Sequence, residues 1–350
     1  MKAVFYFLLI GYAACCAAQP TDPEIPLVDE IPVERQAPGT LGRYWLRIGT
    51  DFRGRAEAIP VILIHGARPG PVLGITAGIH GNELNGIRTV QRLAEVLDPS
   101  ALSGSVLAVP GLNPSGMAGH RREFADGEDL NRVFPGKEDG NESQQMAYAL
   151  SEKLLPHLGF LADLHTASFG RENTLYIRAD LSRDTLAQIA LGFGADLVLN
   201  SREASAGGST GGTLRATASE RGIPGFTVEL GNPQVYQQEM IDRGLEGLLR
   251  SMRLLGMLPR VAEQPPQPVV CSRSYWIYTD RGGMLEGMPE LGEKVTKGAG
   301  IGILRDAFGR ELTRYYAPED GIVIGRATNP VARDGGRILH LGIPEAPESE

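Results

Sequence analysis

His80 and Glu83, in the run Gly78-Ile79-His80-Gly81-Asn82-Glu83, are the residues whose types and spacing most directly suggest chemistry. At that separation, on a strand-to-helix turn, an imidazole and a carboxylate can reach one point. They make two-thirds of the His2Glu ligand set used by catalytic zinc sites of the carboxypeptidase kind. The third ligand should be a distant histidine at the end of a neighbouring strand. Asp163-Leu164-His165-Thr166, after the apolar run Leu158 to Ala162, supplies it. The set His80, Glu83 and His165 predicts about one zinc ion per chain, with one position left open to water. Asp163 is placed to orient a ligand. A lone His-x-x-Glu is commonplace; two ligand turns at two strand ends are not.

Two further segments fit such a site. Asn113 to Gly136 is a long polar insertion carrying Arg121, Arg122, Asp126, Asp129, Asn131 and Arg132, anchored by Phe124, Leu130, Val133 and Phe134. Beside a metal, one guanidinium could stabilise a tetrahedral oxyanion and another clamp a substrate carboxylate; the bland alternative is a solvated charge cluster. Glu229, in Thr227-Val228-Glu229-Leu230-Gly231, ends an apolar strand, where a carboxylate is costly unless it faces a cleft or is paired. Facing a metal-activated water, it would be the general acid–base. Gly207-Gly208-Ser209-Thr210-Gly211 formally matches a serine nucleophile elbow, but no strand leads directly into the serine, so a loop beside the cleft is expected.

These groups need a scaffold. Between residues 42 and 260, apolar strands at Val61–Ile64, Val72–Ala77, Ser105–Val109, Phe160–Leu164, Thr174–Ile177, Asp196–Leu199 and Phe226–Leu230 alternate with helical patterns at Glu83–Leu97, Ser143–Leu155, Arg183–Phe193, Thr213–Arg221 and Val235–Leu255. That alternation predicts an α/β fold, a mostly parallel mixed sheet with helices on both faces. Ligands bind such sheets beyond the carboxyl ends of the strands, where both ligand turns lie. After a proline-rich break at Gln264 to Pro268, short apolar runs divided by Gly and Pro predict a small all-β domain over 268–345. Residues 19–41, rich in Pro and acidic residues, read as a disordered linker. Residues 1–18 read as a signal peptide, with Lys2, an apolar core and Cys16-Ala17-Ala18, so export to the periplasm or medium is expected; a lipid anchor on Cys15 or Cys16 is the weaker alternative. With that segment removed only Cys271 remains, which excludes an intramolecular disulfide. The net charge of -8 argues against a nucleic-acid partner, and no transmembrane span is expected in the mature chain.

Four segments together resemble the succinylglutamate desuccinylase/aspartoacylase family, relatives of zinc carboxypeptidases: Gly78–Glu83; Asn113-Pro114 with Arg121 and Asp129 through Gly136; Asp163–Thr166; and Val228–Gly231. The resemblance implies zinc ligands His80, Glu83 and His165, catalytic Glu229, an oxyanion-stabilising Arg121, and a carboxylate clamp of Asn131 and Arg132. The segment Gly282 to Leu341 is similar to the β-barrel domain that follows the catalytic domain in bacterial members. The expected activity is zinc-dependent hydrolysis of an amide bond in a small N-acyl amino acid or short peptide with a free carboxylate. The rivals are an exported metallocarboxypeptidase or peptidoglycan-peptide amidase on the same site, and a non-catalytic binding protein, which loss of a ligand or of the glutamate would have signalled.

Overall fold

A computed structural model describes residues 25–201, 212–262 and 264–345. The signal segment and the Gly207–Gly211 elbow lie outside them. The chain forms one long mixed sheet. Its centre is parallel: strand Arg68–Ala77 runs between Ser103–Pro110 and Phe160–His165, which pairs in turn with Gly225–Leu230. Beyond these, Leu175–Ala179 pairs antiparallel with Gly225–Leu230 and parallel with Leu197–Asn200. On the other side Thr40–Thr50 and Ala56–His65 form an antiparallel hairpin against Ser103–Pro110. The central strands are near-continuous apolar runs because both their faces are covered.

Two apolar layers cover them. Helices Asn85–Val96, Asp184–Gly192 and Gln238–Leu254 bury Val90, Leu93, Ile189, Leu248 and Met252 on one face. Helices Glu142–Lys153 and Leu214–Glu220 bury Met146, Leu150, Leu214 and Ala218 on the other. The expected helices are all present, each within a few residues of its expected bounds.

One expectation is corrected. Residues 25–41 are not a disordered linker: Leu27–Val28 adds a parallel strand to Thr40–Thr50, and Ile31 is buried in the core. Ile31 anchors the segment in that core, with Val28 and Val33 packed against it. The expected small all-β C-terminal unit is present, and it is joined to the main sheet. Its first strand, Val269–Tyr278, pairs in parallel with Leu197–Asn200 and extends the main sheet through Arg337–Pro344 and Gly321–Ala327. A second, four-stranded sheet packs Leu285, Ile301 and Leu304 against it. The short strand Arg171–Asn173 leaves the catalytic half to pair with Gly321–Ala327, so the two halves are laced together.

Candidate active site

His80 and Glu83 sit in the turn between strand Arg68–Ala77 and helix Asn85–Val96, not in the helix itself. Gly78 takes φ +70°, the left-handed region that turns the chain out of the strand. Gly81 is pressed on the backbone of Gly116, where a Cβ would lie 2.0 Å from the carbonyl carbon. Asn85 then ties this turn to the end of the Glu229 strand: its Nδ2 donates to Leu230 O at 2.8 Å, and its Oδ1 accepts from Gln237 N at 2.9 Å. His165 ends the adjacent strand, in register with Glu229.

The three expected ligands converge. One ligand atom from each of His80, Glu83 and His165 lies within 4.8 Å of the others, and all three side chains are buried. Glu83 Oε1 is 2.8 Å from His80 Nδ1 and Glu83 Oε2 is 2.9 Å from His165 Nδ1. The first of these contacts lacks hydrogen-bond geometry, leaving His80 Nδ1 a buried nitrogen with no partner. A nitrogen aimed at a carboxylate oxygen without donating to it is what two ligands of a common cation look like. Ligands about 2.1 Å from a tetrahedral zinc stand about 3.4 Å apart, a value between the 2.8 and 2.9 Å of the two carboxylate–imidazole contacts and the 4.8 Å that spans the whole set. The residues therefore fit the metal.

The opposite edge of each ring is held. His80 Nε2 lies 3.1 Å from Asp129 Oδ1, and His165 Nε2 lies 2.8 Å from Asp163 Oδ2, whose other oxygen accepts from Thr76 Oγ1 at 2.7 Å. Carboxylates in those positions orient metal-binding imidazoles and raise their basicity. Glu83 also accepts Thr166 N at 3.2 Å and Ser168 Oγ at 3.1 Å. Burial works to raise the Glu83 pKa, but His80 and His165 outweigh it and hold the carboxyl well below its usual range. Burial likewise opposes a charged His165, yet Asp163 and Glu83 lift it well above an ordinary histidine. Asp129 stays ionised against its burial because His80 and Arg122 face it.

The remaining groups line a cavity of about 440 Å³ around this cluster. Glu229 is in it, with Oε2 3.3 Å from Asn173 Nδ2. Its carboxylate keeps some surface open to the cavity although protein surrounds it. Burial, with the charge of Glu83, pushes its pKa up, while His165 and Arg178 act against the rise. A base poised upward in this way suits proton transfer. Asn131 and Arg132 also line the cavity. Asn131 Oδ1 is committed to Leu214 N at 2.9 Å, capping a helix, so its amide nitrogen is the donor left for a ligand.

Arg121 is the residue the structure moves. It is exposed, absent from the cavity wall, and donates to Ala125 O at 3.2 Å. Its neighbour Arg122 lines the cavity instead: Nε and Nη2 bind Asp129 Oδ2 at 3.1 and 2.8 Å, and Nη1 donates to Glu83 Oε1 at 3.1 Å. In an irregular loop no periodicity tells one of two adjacent arginines from the other. Asn173, Tyr176 and Arg171, which also line the cavity, carried no motif. Neither did Trp276, Arg337 and His340, which the C-terminal unit adds.

A family model for the succinylglutamate desuccinylase/aspartoacylase catalytic domain matches residues 69–255. The chain belongs to this family. It is 29% identical over 287 residues to an N-alpha-acetyl-L-2,4-diaminobutyric acid deacetylase of Halomonas elongata, covering 77% of this chain and 81% of the relative. It is 33% identical over 232 residues to a succinylglutamate desuccinylase of Pseudomonas aeruginosa, covering 59% of this chain and 64% of that one. Among solved structures, the ectoine utilization protein EutE of Ruegeria pomeroyi superposes with TM-score 0.79 at 22% identity, covering 89% of this chain and 97% of that one. A succinylglutamate desuccinylase/aspartoacylase from Rhodobacter sphaeroides gives 0.75 at 24% identity, over 87% and 96%. These last two show that the fold, including the C-terminal β unit, is shared. The family is one of deacylases.

Proposed function

We propose that the protein is a zinc-dependent amidohydrolase that removes the acyl group from a small N-acyl amino acid bearing a free carboxylate. The observation that carries this reading is the convergence of His80, Glu83 and His165 on one point, in one cavity with Glu229. Zinc held by those three residues supplies Lewis-acid polarisation of the acyl carbonyl and a lowered pKa for water. Glu229 removes a proton from the attacking water and delivers it to the leaving amine. Arg122, fixed by Asp129 along one edge and by Glu83 at Nη1, is the cavity guanidinium that would stabilise the oxyanion. Arg132 and the Asn131 amide hold the substrate carboxylate. The deacetylase and desuccinylase among the relatives support the same class of substrate.

The test is hydrolysis of N-acyl amino acids by the purified protein before and after chelation, with elemental analysis alongside. Turnover that depends on about one zinc per chain is expected. Active protein free of zinc would overturn the assignment, and turnover confined to peptides with free C-termini would make it a carboxypeptidase. We further propose, from the segment Lys2 to Ala18, that the enzyme acts after export; amino-terminal sequencing of protein from cells should then find a start near Gln19.

A further inference from the structure

Beside the catalytic cavity lies a second groove, of about 470 Å³. It forms where three loops meet: the turn after His165, the loop after the Glu229 strand, and the loop after Gly321–Ala327. Arg171 lines both spaces, so they join at its side chain. Backbone bonds fix the groove to the catalytic groups. Gln234 N donates to Asn82 O at 2.8 Å, next to Glu83, and Thr328 N donates to Gly170 O at 2.9 Å. The walls are Phe169, Pro233, Val235 and Pro330, and no acidic residue lines the groove among the described residues. Phe169 is 69% exposed and Val235 49%, so both hold apolar area that a ligand could remove from water. The polar side chains there serve their own surroundings. Asn329 Oδ1 accepts from Val331 N at 3.0 Å, and Gln234 Nε2 donates to His120 O at 3.5 Å. What the groove offers a ligand is apolar surface.

Its place relative to the carboxylate clamp says which part of a substrate would reach it. Asn131 caps Leu214–Glu220, in the layer on one face of the sheet, where Leu130 is also buried. Residues 232–235 lead into Gln238–Leu254, in the layer on the other face. Clamp and groove therefore approach Glu229 from opposite faces. A substrate held by its carboxylate at Arg132 extends its other end, the acyl group, toward the groove. We infer that this groove is an acyl-chain subsite, so that the preferred substrate is an N-acyl amino acid with a medium-length aliphatic acyl group. The inference rests on the deacylase reading and deepens it. It goes past the acetyl and succinyl groups named for the relatives. An aliphatic chain lying in an open groove keeps one side in water. Each methylene then gains about half of full burial, roughly twofold in affinity.

The experiment uses the full-length protein with its metal. N-octanoyl-L-alanine is compared with N-acetyl-L-alanine, and N-acetylglycylglycyl-L-alanine supplies a chain of similar length without apolar side chains. The octanoyl compound should be favoured over both others about 10- to 100-fold in kcat/KM, the sum over its six extra methylenes. In Phe169→Ser and Val235→Asp, both at exposed positions, the octanoyl-to-acetyl ratio should fall toward one. Phe308→Ser, at an exposed ring outside the groove, keeps it. Equal or better turnover of the acetyl or peptidyl compound, or a ratio unchanged in both groove variants, overturns the subsite. If no compound is hydrolysed the deacylase reading has failed, and calorimetry with the octanoyl and acetyl compounds still decides the subsite. Tighter octanoyl binding that Phe169→Ser abolishes supports it, and equal binding of the two refutes it.

Discussion

Asn173 Nδ2 donates to Glu229 Oε2 across 3.3 Å, and Asn173 is itself paired in the sheet with Gly325 of the C-terminal unit. A Cβ on Gly325 would lie 2.4 Å from Asn173 Oδ1. The group expected to move the proton is thus held, through one amide, by a strand more than ninety residues further along the chain. Glu229→Gln should fold, keep its zinc and lose about 10²–10⁴ in kcat with little change in KM. Asn173→Ala should lose less, again in kcat, and Asn173→Gln should not restore it, because the longer side chain meets Gly325. A Glu229→Gln protein that loses zinc, or turns over normally, would make the residue a ligand or a bystander.

The two carboxylates behind the histidines separate orientation from ligation. His80→Ala and His165→Ala should each abolish zinc binding and activity. Asp129→Asn and Asp163→Asn leave the ligands in place and should weaken zinc about 10- to 100-fold, read by competition with a chromogenic chelator. Zinc affinity unchanged in both aspartate variants would show that the rings are held by packing alone.

Adjacent arginines should behave oppositely. Arg122→Ala removes the guanidinium facing Glu83 and should cost about 10²–10³ in kcat, the usual loss of one oxyanion donor. Arg121→Ala, exposed and bonded only to Ala125 O among the described residues, should stay within a few-fold of the parent. The reverse ranking would return the oxyanion role to Arg121.

His340 gives a pH prediction on stability. Burial first, then the cations Arg178 and Arg171, push its imidazole down to about 3. In the unfolded chain a histidine takes its proton near 6.5. Below about pH 6.5 the unfolded state therefore binds a proton that the folded state refuses, and stability falls as pH drops toward 3; above 6.5 the residue contributes no slope. His340→Phe keeps an aromatic ring against Trp276 and removes the proton. Between pH 6 and 4.5 its unfolding free energy, from urea melts, should decline less steeply than the parent's by about 1 kcal/mol per pH unit. Equal slopes would mean that His340 titrates normally.

The sequence by itself determined the scaffold and the three residues that converge in the cavity. Apolar runs alternating with helical spacing place the strands, because a sheet covered on both faces must be apolar throughout. His80, Glu83 and His165 were legible because each lies at or just beyond the end of such a run, and neighbouring strand ends meet in space. Asp163 was legible for the same reason, two residues before His165 on the same face. Tertiary structure alone decided the rest. Arg122 rather than Arg121 depends on how an irregular loop folds onto Asp129, where spacing carries no information. Residues 25–41 are ordered because Ile31 finds a core that local composition cannot announce. Trp276, Arg337 and His340 reach the cavity because the strand Val269–Tyr278 joins the catalytic sheet. Strand pairing between segments far apart in the chain is a long-range choice, and no local pattern of residues encodes it.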